Sequence, residues 1–71
     1  MTKPLQVLQN ALGKTVGVEL RGQISFQGTL DGFDPHMNLV LKKAKESVGG
    51  KETAAHETAI LRGDGVIYIS T

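Results

Sequence analysis

The sequence predicts a mainly β protein: one short N-terminal α-helix followed by a five-stranded, strongly bent antiparallel barrel. Three observations predict it. Apolar residues recur at spacings of three and four over residues 3–12, then at a spacing of two from residue 15 onward. Glycines interrupt the longest strand-like run, where a flat ribbon would not place them. Short polar turns separate the remaining runs.

The helix rests on Leu5, Leu8 and Leu12, with Val7 and Ala11 widening the apolar stripe. Pro4 suits a first helical turn, and Gly13 suits a left-handed C-cap. Val16, Val18 and Leu20 then alternate with Thr15, Gly17 and Glu19, the pattern of a half-buried strand. Arg21-Gly22 offers a tight turn. A long second strand follows, carrying Ile24, Phe26, Gly28, Leu30 and Gly32 on one parity, with sharp bends expected at Gly28 and Gly32. The polar stretch Asp34-Pro35-His36-Met37-Asn38 ends it. Leu39-Val40-Leu41 opens a third strand that runs on to about Glu46. Residues 47–56, rich in Gly, Ser, Thr, Ala and charge, read as a mobile hairpin loop. Residues 57–61 form a fourth strand and 66–70 a fifth, joined by Arg62-Gly63-Asp64-Gly65. The fifth, Val66-Ile67-Tyr68-Ile69, is apolar on both parities. That pattern fits either an edge paired with another copy or a strand buried inside its own barrel.

Bulk numbers narrow the function. Seventy-one residues, spanning 1–71, are expected to make one small domain. With no cysteine there is no disulfide or Cys-based metal site, and two histidines cannot form a three-His centre. No cofactor is implied. No run is long enough to span a membrane, and the first residues lack the apolar core of a signal peptide. A soluble, cytoplasmic protein is the expectation. A net charge of +1 excludes a strongly basic protein that coats nucleic acid through bulk attraction.

The candidate site lies in the two polar turns. One offers the flat imidazole of His36 and the amide of Asn38; the other offers the planar guanidinium of Arg62, with Gly63 and the Asp64 carboxylate beside it. A base can stack between imidazole and guanidinium, and an amide can read its edge. Asn38 carries both a donor and an acceptor, which suits the O4 and N3–H edge of uracil. An ionised Asp64 cannot donate to a base carbonyl, so it is expected to orient Arg62 or Asn38. Lys42, Lys43, Lys45 and Lys51 are interrupted by Glu46 and Glu52 and read as a solubilising rim. His56 reads as exposed and without a role. Ser25, Ser47 and Ser70 lack the context of a hydrolase nucleophile.

The segments Gly32–Leu41 and Ile60–Ile69 resemble the paired motifs of the Sm and Sm-like RNA-binding family, in order and at matching separation. The resemblance covers nearly the whole chain except residues 47–56 and is nearest to archaeal members. It implies a helix on a bent barrel, and a closed homo-oligomeric ring, usually a heptamer, built by pairing the fourth strand of one copy with the fifth of the next. It implies single-stranded, uridine-rich RNA around the central pore, one base per subunit, in RNA processing. Carried over, His36 and Arg62 sandwich the base, Asn38 reads its edge, and Gly63 and Asp64 shape the second side. Gly65, Gly17 and Pro35 depart from the common pattern, but none removes a base-contacting residue. Two other readings compete. An SH3-like barrel binding protein partners needs an exposed aromatic groove, and only Phe26, Phe33 and Tyr68 are present. An enzyme built on Asp34, His36 and Asp64 lacks a nucleophile, a metal set and a cofactor loop.

Overall fold

The structure, a computed structural model, describes residues 3–71. Helix α1 spans Pro4–Ala11 and precedes strands β1 (Thr15–Leu20), β2 (Ile24–Phe33), β3 (Leu39–Val48), β4 (Lys51–Leu61) and β5 (Val66–Ser70). A single 3₁₀ turn, Gly63–Gly65, links the last two strands. The strands form one antiparallel sheet in the order β4-β3-β2-β1-β5, which leaves β4 and β5 at its two ends. The predicted fold class holds.

The helix packs on a narrower stripe than its sequence offers. Leu8 and Ala11 are buried, whereas Leu5, Val7 and Leu12 stay exposed. Gly13 does adopt the left-handed conformation, with φ +82°. Its N–H, however, bonds the Leu30 carbonyl at 2.9 Å rather than a helix carbonyl, and the Leu30 N–H returns to Lys14 O at 3.0 Å. The glycine therefore anchors the helix to β2.

Bending concentrates at β2 and β3. Lys43 and Ala44 together oppose Gly28, because Gln27 pairs with Lys45 and Thr29 with Lys42. Lys43 takes φ +50° there, the mark of a bulge that turns the strand. A Cβ on Gly28 would lie 2.9 Å from the Lys42 carbonyl oxygen and 3.0 Å from Ala44 Cα. Only glycine allows the two backbones to approach so closely. The second irregularity falls at Asp31, between the pairs Leu30–Leu41 and Gly32–Val40. Gly32 itself has room for a Cβ, so the bend expected at that residue belongs to its neighbour. The curled sheet closes over Leu8, Val16, Val18, Leu30, Leu39, Leu41 and Leu61, and among the described residues no polar side chain is buried.

The expected mobile loop at 47–56 is corrected. β3 continues to Val48 and β4 begins at Lys51, so only Gly49-Gly50 turn the chain. Both glycines have positive φ, 59° and 88°, the geometry of a two-residue hairpin whose twist matches its strands. Most of β4 is exposed, so its residues show no apolar parity, and the polar sequence resembled a loop. His56 is exposed as expected but not unpartnered: its Nε2 lies 2.9 Å from a Glu46 carboxylate oxygen, and its ring sits 6.1 Å from that of Phe26.

The two readings of β5 now separate. The strand is bonded on one side only, to β1, and Ile67 and Tyr68 are each 59 % exposed. It is not buried within its own barrel. At the opposite end of the sheet, Ile60 on β4 is 73 % exposed. Large apolar side chains on both free edges mark surfaces that gain from being covered.

Gly28→Ala should destabilise the protein by about 1–3 kcal/mol, because the added methyl meets backbone that cannot rotate away. Gly32→Ala should change stability by less than about 0.5 kcal/mol. Chemical denaturation of both variants at equal protein concentration checks the contrast.

Candidate nucleic-acid interface

The first turn is built by Asp34. The Met37 N–H closes a turn onto the Asp34 carbonyl at 3.0 Å, and the Asp34 N–H bonds the Asn38 carbonyl at 3.2 Å. Pro35 presets the backbone at the second position. Asp34 Oδ1 accepts the backbone N–H groups of His36 at 2.9 Å and Asn38 at 3.1 Å. The unusual backbone angle in this turn belongs to Met37, with φ +66°, and not to Asn38.

Asn38 joins this turn to the second one. Its Nδ2 donates to Asp34 Oδ2 at 2.9 Å, and its Oδ1 accepts the Gly63 N–H at 2.7 Å. Gly63 lies so close that a Cβ there would run into the His36 carbonyl. The two turns, twenty-five residues apart in sequence, are thus in contact. An amide has two N–H groups and two acceptor lone pairs. One of each is used, so one donor and one acceptor remain for a ligand.

Arg62 precedes the 3₁₀ turn in extended conformation, and its side chain is 82 % exposed. Its Nη2 lies 3.4 Å from Asp64 Oδ2, so Asp64 orients Arg62 and not Asn38. Such an exposed pair is weak and yields readily to a base or phosphate. An open cleft beside it is lined by Phe33, Asp34, Asn38, Val40, Ile60 and Arg62. His36 is exposed in the adjoining turn and does not line that cleft.

The sequence reading overlooked Asp34 as a site residue, treating it as turn chemistry or as part of a weak acid–base set. The available signal was an Asp four residues before an Asn within one turn. Its carboxyl is held below the ordinary value of 3.8, first by the Asn38 side-chain amide and then by the Asn38 and His36 backbone N–H groups. A depressed value means that this anchoring is present above about pH 4 and is lost as pH falls through the folded value.

A bent β barrel with two polar turns tied together beside a cleft defines an Sm-type module. The LSM domain family model matches residues 6–71, and the chain belongs to that family. A protein of Methanosarcina acetivorans named as snRNP Sm-like is 44% identical over 68 residues, covering 96% of this chain and 94% of that protein. The fold superposes with a TM-score of 0.92 on the Pyrococcus abyssii Sm protein, solved in complex with a uridine heptamer; identity is 36%, with 97% of each chain covered. The P. aerophilum SmAP1 heptamer gives a TM-score of 0.89 at 36% identity, covering 99% of this chain and 93% of that one.

Gly63→Ala should force the turns apart and break the bond to Asn38, with about 1–3 kcal/mol lost in stability. Gly65→Ala, where a Cβ would meet nothing within 4 Å, should leave stability nearly unchanged. Thermal melts of the pair test whether the contact between turns is as tight as described.

Proposed function

We propose that the protein is a non-catalytic, ring-forming RNA-binding scaffold that holds uridine-rich single strands at a central pore. The observation that carries this reading is the Gly63 N–H to Asn38 Oδ1 bond of 2.7 Å, which brings an imidazole, an amide and a guanidinium onto adjoining turns. His36 and Arg62 supply flat faces for stacking, Asn38 keeps a free donor and acceptor for a uracil edge, and Gly63 and Asp64 hold the second turn in place. The likeness to the P. abyssii protein with its uridine heptamer supports the ligand class. With a net charge of +1, affinity comes from stacking and from repetition around the ring more than from bulk attraction.

The ring is supported by the sheet itself. β4 and β5 are its unpaired ends, and both carry exposed apolar residues: Ile60 on one, Ile67 and Tyr68 on the other. Pairing β4 of one copy with β5 of the next covers both edges and closes, whereas an open array would grow without limit. The P. aerophilum heptamer supports seven copies. Membership of the LSM family supports a role as scaffold or chaperone in RNA processing.

The ring should persist without RNA, and native mass spectrometry should record a heptamer with and without oligouridine. A stable folded monomer in dilute solution would overturn the assembly. His36→Ala and Arg62→Ala should each remove about 1–3 kcal/mol per stacked base, multiplied around the ring to a near-complete loss of oligouridine binding. Arg62 should matter more, because it adds a permanent charge near phosphate. Both variants should assemble as the parent does; unchanged affinity in both would place the base elsewhere.

A further inference from the structure

Resting on the proposed uridine-binding ring, we infer that Met37 is a positioning residue that ties the base pocket to the subunit boundary. Its side chain holds the turn carrying His36 and Asn38 by entering an apolar cleft that β4 of a neighbouring copy closes. The pocket is then fully ordered only when that neighbour is docked.

Met37 stands between the two base-facing residues of the first turn, yet it does not line the cleft shared by Asn38 and Arg62. It packs against the core cluster and lines a second cleft, of about 460 Å³, with Val7, Leu8, Gly63, Val66 and Ile69. Its backbone takes φ +66°, a left-handed conformation that disfavours a residue bearing a Cβ. Glycine or asparagine would adopt that angle more readily. What methionine adds is an unbranched apolar side chain able to fill an irregular gap. Angle and side chain together mark a residue that serves the cleft it reaches more than the turn it sits in.

The cleft lies between α1 and the unpaired edge of β5, where Ile67 and Tyr68, each 59 % exposed, also line it. Its occupant is a second copy of this chain. β5 offers free backbone groups along the cleft, and in the proposed ring these meet β4, which carries Ile60 at 73 % exposure. Docking that strand takes water from the half-buried Met37 and fixes its side chain. Gly63 of the second turn lines the same cleft, so both turns rest against the boundary. Coupling of this kind is reciprocal: a neighbour that steadies the pocket is itself held more tightly by a base in the pocket.

The experiment uses uridine monophosphate, which is too small to bridge two subunits and so reports on the pocket without avidity. Calorimetry measures its affinity for assembled rings of the intact protein, Met37→Gly and Met37→Leu. Glycine relieves the backbone angle but empties the cleft, whereas leucine keeps an apolar side chain of similar volume at the same angle. Met37→Gly should lower the affinity about tenfold or more, and Met37→Leu should stay within about threefold of the intact protein. Subunit exchange between isotopically distinct rings, followed by native mass spectrometry, reads the boundary. Uridine monophosphate should slow exchange of the intact protein about tenfold and leave the faster exchange of Met37→Gly nearly unchanged. If Met37→Gly does not assemble, Val7→Ser, which trims the helix wall of the same cleft, carries the same two expectations. Normal affinity in the assembled cleft variant, a loss in Met37→Leu equal to that in Met37→Gly, or intact rings whose exchange ignores uridine monophosphate would each overturn the inference and leave the base pocket standing. Binding of oligouridine without uridine monophosphate would overturn it too. Binding of neither would remove the proposed function itself, and the inference with it.

Discussion

The close approach of β2 to β3 at Gly28 is the constraint on which the rest of this molecule depends. Without side-chain bulk there, a bulge at Lys43 and a second irregularity at Asp31 can turn two ten-residue strands sharply. A sheet of the same strands left flat would expose one face entirely and enclose no core. The bend lets Leu30 and Leu41 meet Val16, Val18 and the underside of the helix, so a short chain acquires a dry interior. It also sets the course of β3 and β4, which bring the turns at either end of them together.

Division of labour between interior and site follows. Among the described residues all the buried side chains are apolar, so no polar network in the core must be satisfied. The polar groups that matter are gathered into the two turns, where Asp34, Asn38 and Gly63 satisfy one another through bonds of 2.7–3.1 Å. The core residues and the recognition residues are thus different sets, although the Asn38–Gly63 bond contributes to stability as well. Arg62 and His36, which lie outside both sets, remain exposed and free to meet a ligand.

Much of this was legible in the sequence because the relevant signals are local. The three- and four-residue spacing around Leu8, the alternation of Val16 and Val18, and the polar turn after Phe33 each report a periodicity or a turn preference directly. The hairpin at Gly49-Gly50 was not legible. Alternation identifies a strand only when one face is buried, and the residues of β4 from Lys51 to Thr58 are nearly all exposed. The helix was overread for the opposite reason: Leu5, Val7 and Leu12 are apolar, but periodicity cannot say how much of a stripe finds a partner. Asp34 was missed because its importance lies in which oxygen faces which nitrogen, a matter of geometry that residue identity leaves open.

The unequal lengths of the end strands bear on how the protein behaves when crowded. β4 has eleven residues and β5 only five, so in the proposed ring a neighbouring β5 would pair with about half of β4 and leave the outer backbone groups of the rest to water. That remainder, near the glycine hairpin, is where a stray strand would add and begin a fibril. It carries Lys51 and Glu52, and Thr53 is the extra residue of a bulge that breaks the regular ladder. Charge and kink together make this stretch a poor template. In the proposed ring the apolar part of the edge would meet one neighbour, while the charged part discourages further strands.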